Sequence, residues 1–244
     1  MSGINVTPLF SCSSGNCTYI SGGGTGILID AGVSAARICA ALRSINAPAP
    51  EAIFITHEHS DHIKGLDVLT RKIPLRVYMP RASYEKSSLK HTPLFMDECG
   101  KVTVGALTVR SFPLSHDTAC CVGYTVEACG ERVGIMTDTG YVTDEAVASL
   151  SGCTTVVIES NHDERMLRLG PYPRVLKERI SSDTGHLSNS DCAAFCAFLA
   201  SKGTKKFILA HLSRENNDCD IALECTRSVL PEGTECVCAP EAVI

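Results

Sequence analysis

Residues 52–62 read Ala-Ile-Phe-Ile-Thr-His-Glu-His-Ser-Asp-His and carry the densest chemical signal of the chain. The first four are apolar, which is typical of a buried strand, so a run of polar side chains begins where a strand ends. On an extended backbone His57 and His59 point to the same side, and Asp61 and His62 follow after a bend. This spacing predicts two metal ions rather than one. The alternative, a solvated loop without metal, is disfavoured because three histidines and an aspartate lie within six residues.

Three more ligand-type residues each follow a short apolar or β-prone segment. Imidazole and carboxylate without thiolate suit zinc, manganese or iron, so the ligand set does not choose the metal. Gly140, two positions after Asp138, is expected to permit a tight turn. The three are His116 after residues 107–115, Asp138 after 132–137, and His211 after 206–210.

In this order the candidate ligands resemble the metal-binding motif of the metallo-β-lactamase fold superfamily of hydrolases. Asp30, at the end of Ile-Leu-Ile-Asp-Ala-Gly (residues 27–32), resembles the first motif of that superfamily. The resemblance implies that Asp30 orients a ligand histidine by a hydrogen bond; the alternative is a strand-end acid in a turn. It also implies one ion bound by His57, His59 and His116, a second bound by Asp61, His62 and His211, and Asp138 bridging the two.

The fold implied by the resemblance is an α+β, four-layer αββα sandwich, with two mixed sheets face to face, helices outside and the metals at one sheet edge. The chain has 244 residues and no linker-like or low-complexity segment, so residues 1–244 are expected to form one domain. The glycine-rich residues 21–26 favour a hairpin turn between strands at 17–20 and 27–29. Helices are predicted at residues 34–45, 63–72, 144–149, 175–181, 190–202 and 220–229.

Three further segments narrow the branch of the superfamily. They resemble the phosphodiesterase side, including the tRNA-processing RNase Z enzymes, and above all the bacterial YycJ/WalJ-type proteins, which are regarded as DNA nucleases. This resemblance implies a DNA exonuclease working from a 5′ end. The segments are residues 157–163 (Val-Ile-Glu-Ser-Asn-His-Asp), 185–189 (Gly-His-Leu-Ser-Asn) and 210–217 (Ala-His-Leu-Ser-Arg-Glu-Asn-Asn).

The implied chemistry is phosphodiester hydrolysis by a hydroxide that bridges two divalent ions, Zn or Mn with Fe as a further possibility. Asp61 would also hold this hydroxide in line. His186 is the first candidate for the acid that protonates the leaving oxygen, because it matches a histidine given that role in the RNase Z family. His162 is the second candidate, and a structural role for it remains open.

Charge gives a mixed indication of a nucleic-acid partner. The formal net charge of −5 disfavours a general nucleic-acid binder. Residues 71–90 nevertheless carry six basic residues against one acid, and residues 165–179 carry five against one. These runs fit either a surface for a polyanion or ordinary solvated helix faces. Tyr78, Tyr84 and Tyr172, in or beside them, fit either base stacking or packing.

Composition and spacing bear on the compartment and on the alternatives. The chain has fourteen cysteines but no Cys-x-x-Cys spacing, and neither a signal peptide nor an apolar run of membrane-spanning length is recognised. These observations predict a cytoplasmic protein. Only 73 positions separate Asp138 from His211, which is too few for the inserted domain of β-CASP nucleases, so that branch is disfavoured. Many RNase Z enzymes carry a long arm that grips tRNA, whereas here residues 169–173 could form only a small loop. Two other functions stay open: hydrolysis of a small cyclic nucleotide, lactone or thioester, and a non-catalytic accessory role. The oligomeric state is not predicted.

Overall fold

The computed structural model describes residues 3–243. Within that range the strands form two sheets, each of which follows the chain order from one edge to the other. The first sheet contains β1 (Asn5–Phe10), β2 (Cys17–Gly22), β3 (Thr25–Ile29), β4 (Ala52–Phe54), β5 (Arg76–Met79) and β6 (Leu94–Phe95). The second contains β7 (Lys101–Val104), β8 (Leu107–Leu114), β9 (Cys121–Ala128), β10 (Glu131–Met136), β11 (Thr155–Glu159), β12 (Lys206–Ala210) and β13 (Glu235–Cys238).

Both sheets are mixed. Strands β1 to β3 and β7 to β10 pair antiparallel, whereas β3 to β6 and β10 to β13 pair parallel. The predicted hairpin between β2 and β3 is confirmed, with Ile20 opposite Ile27. Because parallel strands end at the same edge of a sheet, residues that follow them are collected there.

Three apolar clusters lie between the four layers of the fold, which are two outer layers of helices and the two sheets between them. The central one joins the inner faces of the sheets through residues such as Phe54 of β4 and Tyr124 of β9, whose rings lie 5.7 Å apart. A second cluster packs Ile38 and Leu69 against the outer face of the first sheet. The third packs Leu150 and Leu199 against the outer face of the second sheet. The predicted α+β αββα sandwich is therefore confirmed.

The helices agree closely with prediction except around residue 63. The predicted helix 63–72 begins three residues later, at Leu66, and a separate short helix over residues 60–63 precedes it, which was not predicted. The short helices at residues 81–86 and 164–169 were also not predicted. In chain order the helices are α1 (Ala35–Ser44), α2 (Ser60–Ile63), α3 (Leu66–Lys72), α4 (Arg81–Lys86), α5 (Asp144–Leu150), α6 (Glu164–Leu169), α7 (Arg174–Ile180), α8 (Asn189–Ser201) and α9 (Cys219–Arg227). Across residues 3–243, none of these helices has the length and apolar character needed to cross a membrane.

Candidate metal centre

Strands from both sheets end at one edge, and each delivers a polar side chain there. Three of these residues, Asp30, Asp138 and His211, have positive φ angles of 61°, 64° and 55°. The left-handed region is rare for residues other than glycine, so the backbone is strained where the side chains converge. The chain bends at Gly140, and this glycine also allows close packing, since a Cβ there would lie 2.3 Å from the Asp183 backbone. The side chains are Asp30 after β3, His57 after β4, His116 after β8, Asp138 after β10, Glu159 ending β11, and His211 after β12.

The seven predicted ligands lie together as two triplets with one carboxylate between them. The ligand atoms within each triplet lie within 4.8 Å of one another, and Asp138 forms a third such group with His57 and His62. Asp138 Oδ2 is 3.3 Å from His62 Nε2, and Asp138 Oδ1 is 3.9 Å from His116 Nε2. The seven residues thus lie in groups that could hold metal ions, and a fourth group joins Asp138 to Glu159, His186 and His211. The triplets are His57, His59 and His116, and Asp61, His62 and His211.

Unpartnered atoms indicate that this cluster fits metal ions. His57 Nε2, His211 Nε2 and Asp138 Oδ2 are buried and have no hydrogen-bond partner within residues 3–243. A buried polar atom without a partner costs about 1–3 kcal/mol, so its presence at a site calls for a ligand. Burial lowers the pKa of His57 and of His116, which keeps both imidazoles neutral and able to bind a cation. The donor set can therefore hold divalent metal.

Asp30 contacts His62 through the ring nitrogen that faces away from the cluster. Its Oδ2 lies 2.8 Å from His62 Nδ1, and its Oδ1 accepts hydrogen bonds from the backbone N–H and the hydroxyl of Thr56. With Nδ1 paired, His62 presents Nε2 to the cluster. The hydrogen bond expected from the sequence is therefore present.

Replacing Asp30 by asparagine is expected to weaken metal binding about 10- to 100-fold, because it removes the anionic partner that orients His62 and makes it more basic. Competition with a chromophoric chelator would measure the affinity. Asp97→Asn is a control, since Asp97 belongs to none of the candidate metal-binding groups in the described part of the chain. Equal affinities in the two variants would contradict a role for Asp30 in metal binding.

The turn between β1 and β2 closes the other side of the cluster. Asn16 Nδ2 lies 3.1 Å from His62 Nε2 and 3.5 Å from Asp61 Oδ2. Backbone bonds of 2.8 Å fix the turn, from Asn16 N to Asp61 O and from Gly32 N to Asn16 O. Asn16 could not be predicted from the sequence, since a lone asparagine in a turn has no distinguishing pattern.

Gly32→Ala is expected to destabilise the protein by about 3 kcal/mol or more, at the upper end of overpacking effects. A Cβ on Gly32 would lie 1.5 Å from Asp61 O and 2.5 Å from Asn16 N, both of them backbone atoms. Urea unfolding of metal-free protein would measure the change. Gly22→Ala is the matched control, because its nearest neighbour would be a leucine methyl at 3.3 Å. Equal unfolding midpoints would contradict the close packing at Gly32.

Glu159 links two of the histidines. It lies in the segment 157–163 described above, but the sequence predicted no role for it. Its Oε1 accepts from Nδ1 of His186 and of His211, both at 2.8 Å. Its Oε2 accepts from the backbone N–H groups of Thr139 and Leu187. Burial alone would raise the pKa of Glu159, but the imidazoles, His186 foremost, hold this pKa below its usual range. Glu159 is thus a buried, fully hydrogen-bonded carboxylate that fixes the orientation of both rings.

His186 and His162 have different surroundings. The His186 ring lies 5.0 Å from the His116 ring, and its side chain is 20% exposed, so solvent or a substrate reaches it. Burial lowers the pKa of His186, but the charge and hydrogen bond of Glu159 outweigh burial and the net shift is upward. His162 is buried and lies outside the ligand groups, and burial lowers its pKa. The structure therefore brings His186, but not His162, to the cluster.

Asp117 also lies at the cluster and was not singled out in the sequence. Its Oδ1 is 3.5 Å from His116 Nε2 and 3.9 Å from His59 Nε2. Its position next to His116 in the chain was the available signal. Cys121, whose sulfur is 3.9 Å from His57 Nδ1, lies behind the cluster, and burial raises its pKa well above the usual value. All fourteen cysteines are unpaired.

The two basic runs differ in what they offer a polyanion. Run 165–179 lies on α6 and α7, and none of the side chains of α7 is buried. Run 71–90 includes Tyr78, which is buried and stacks on Phe54 at 4.8 Å, and Tyr84, which packs on Phe95 at 5.7 Å. Packing therefore accounts for these two tyrosines.

Comparisons with known proteins agree with this geometry. Residues 25–212 match the model of the beta-lactamase superfamily domain. The chain is 38% identical over 238 residues to "Exodeoxyribonuclease YycJ" of Bacillus anthracis, covering 94% of this chain and 90% of the relative. It is 38% identical over 234 residues to "Exodeoxyribonuclease WalJ" of Streptococcus pneumoniae, covering 90% and 86%.

A comparison with solved structures shows the same fold. The crystal structure of the metallo-beta-lactamase fold protein YhfI from Bacillus subtilis superposes with a TM-score of 0.76 at 17% identity, covering 99% of this chain and 98% of that one. The chain therefore belongs to the beta-lactamase superfamily and is a hydrolase of the metallo-β-lactamase fold.

Proposed function

We propose that this hydrolase is a two-metal phosphodiesterase that degrades DNA from a 5′ end. The observation that carries the proposal is the pair of triplets on either side of Asp138, one of three histidines and one of two histidines and an aspartate, next to the His186–Glu159 pair. Relatives that are 38% identical over most of their length bear the name exodeoxyribonuclease, which supports DNA as the substrate. The free thiols of the chain fit the reducing environment of the cytoplasm.

The ligands have distinct tasks in this proposal. His57, His59 and His116 would hold one ion, Asp61, His62 and His211 the other, and Asp138 both. Divalent ions at such a site acidify water and stabilise the charge that develops on a phosphoryl group. The Asp61 side chain is 22% exposed and that of Asp138 only 2%, so Asp61 is the carboxylate that can also orient an attacking water.

His186 would supply the proton for the leaving oxygen. Glu159 occupies its Nδ1, which leaves Nε2 for the substrate. The raised pKa keeps a larger fraction of His186 protonated near neutral pH. We assign His162 no contact with substrate and place it behind this pair as a structural histidine.

Replacing Glu159 by glutamine is expected to move the basic limb of the kcat–pH profile to lower pH. Glu159 raises the pKa of His186, and an acid loses its proton as the pH rises through its pKa. Without the carboxylate this loss occurs earlier, so activity falls at a lower pH. Steady-state rates across the pH range at saturating metal would measure the shift. An unchanged basic limb would contradict the assignment of His186 as the acid.

The direct test uses metal-free protein with end-labelled single- and double-stranded DNA and RNA, reconstituted separately with Mn²⁺ and Zn²⁺. A stepwise ladder of products from the 5′ end of DNA, lost in Asp61→Ala, is the expected result. Activity should also fall steeply with salt, because a polymer substrate releases counterions on binding. Turnover of a small phosphodiester, lactone or thioester at all ionic strengths, with no cleavage of DNA, would instead favour a small-substrate hydrolase. Binding of DNA without cleavage of any substrate would favour an accessory role.

A further inference from the structure

One carboxylate connects the metal cluster to the basic helix α7. Asp117 Oδ1 faces His116 Nε2 and His59 Nε2, at 3.5 and 3.9 Å, and Asp117 Oδ2 accepts a hydrogen bond of 2.6 Å from Arg179 Nε. The Arg179 guanidinium therefore lies one carboxylate away from the candidate ligand atoms. Successive phosphates of one strand are offset by only about 3.4 Å along the helix axis, so two groups separated by a single carboxylate can contact neighbouring phosphates.

The guanidinium of Arg179 has donors to spare. An arginine carries five N–H donors in a planar fork, and Asp117 takes only the one on Nε. Within residues 3–243 the two terminal nitrogens of Arg179 donate to no acceptor. The side chain is 55% exposed, so these nitrogens are open to a ligand. Because Asp117 fixes the plane of the fork, less entropy is lost when the remaining N–H groups bind a planar or tetrahedral anion.

The other basic side chains of the same helix are placed differently. Arg174 pairs with Glu178 one turn along the helix, and the Arg174 side chain is 90% exposed. Lys177 Nζ donates to the Arg168 carbonyl. Within residues 3–243, neither side chain forms a hydrogen bond or ion pair with a group at the metal cluster. Arg179 is thus the basic residue of α7 that is tied to the centre, while its neighbours add positive charge along the approach to it.

We propose that Arg179 is a phosphate-binding residue of the active site, which binds the phosphate next to the scissile one, and that Asp117 is the positioning residue that orients its guanidinium. This inference rests on the proposed nuclease function and deepens it. It explains why an arginine lies beside a cation-binding cluster. In the free protein the negative charge of Asp117 offsets the repulsion between Arg179 and the bound cations, and in the complex the phosphate bound by Arg179 offsets it further.

The test is a double-mutant cycle between Arg179 and a single phosphate. Metal-loaded protein would be mixed rapidly with fluorescent single-stranded DNA carrying one neutral methylphosphonate linkage at defined positions, and binding measured by anisotropy before turnover. In the wild type, neutralising the linkage next to the scissile one is expected to weaken binding about 10-fold, the worth of one charged hydrogen-bonded contact. In Arg179→Met the same linkage should cost nothing further, and the salt slope should fall by about 0.7.

Arg76→Met is the matched control. Arg76 is an exposed arginine paired with Glu51 at 3.6 Å, and it lies at the start of β5, at the sheet edge opposite the strand ends that form the centre. In this variant the neutral linkage should cost the same as in the wild type. Asp117→Ala should retain the metal content of the wild type and lose most of the coupling to the linkage, which a purely structural role would leave intact.

Two outcomes would overturn the inference. Equal costs of the neutral linkage in wild type and Arg179→Met would show that Arg179 binds no single phosphate. A salt slope that falls as much in Arg76→Met would show a general effect of charge. Either result leaves the nuclease proposal standing if DNA is still cleaved in the presence of metal, whereas failure of the wild type to bind or cleave DNA would remove the proposed function itself.

Discussion

Replacing His186 by alanine is expected to lower kcat for phosphodiester hydrolysis by about 10²- to 10⁴-fold, the usual contribution of a positioned general acid, while both metal sites stay filled. The structure gives the reason for this separation. His186 Nδ1 is bound to Glu159 Oε1, and the same oxygen binds His211 Nδ1, so this group of side chains is held together by hydrogen bonds. His186 belongs to neither triplet, and Glu159 keeps its hydrogen bond to His211 when His186 is removed, so the two triplets are expected to stay intact.

Single-turnover rates at saturating metal, together with metal analysis of the purified variant, would measure both parts of this prediction. A substrate with a good leaving group, such as a nitrophenyl phosphodiester, needs little protonation and should lose far less rate than DNA. His91→Ala is the control, because His91 has no role in the cluster. Loss of a metal ion from His186→Ala would show that His186 is a ligand. Equal loss with both substrates would show that it serves something other than proton transfer.

Local patterns in the sequence predicted most of the candidate site. His57, His59, Asp61 and His62 lie within six consecutive residues, and His116, Asp138 and His211 each follow an apolar run that forms the expected strand. An apolar run that ends in a ligand-type residue is a local signal, and the sandwich then brings the strand ends together.

Residues whose role depends on distant partners were harder to predict. Asp117 and Arg179 are 62 positions apart, and Asn16 and His62 are 46 apart, so neither contact has a local pattern. Glu159 has a local signal at the end of a strand, but its pairing with His186 and His211 depends on where two other segments converge. The helices α4 and α6 have six residues each, less than two turns, which is too short for a helical period to be recognised.

Metal is expected to stabilise the fold strongly, since the ligands are buried and partly unpaired without it. Buried atoms of His57, Asp138 and His211 have no hydrogen-bond partner within the described residues. An ion that binds only the folded state adds about 2.7 kcal/mol when its free concentration is 100 times its Kd. For two sites this is about 5 kcal/mol, and about 2–4 °C per kcal/mol at this chain length gives a rise in Tm of about 10–20 °C.

Thermal unfolding in chelator-buffered Zn²⁺ or Mn²⁺ would measure this rise and also count the ions. Each tenfold increase in free metal adds about 1.4 kcal/mol for each occupied site, so two sites give twice the slope of one. Asp138→Ala should remove most of the dependence, because Asp138 lies in reach of both triplets. Glu51→Ala removes an exposed carboxylate at the opposite sheet edge and should leave it unchanged. A slope that is the same in the wild type and in Asp138→Ala would show that the stabilising metal binds elsewhere, and a wild-type slope of one site would restrict the centre to a single ion.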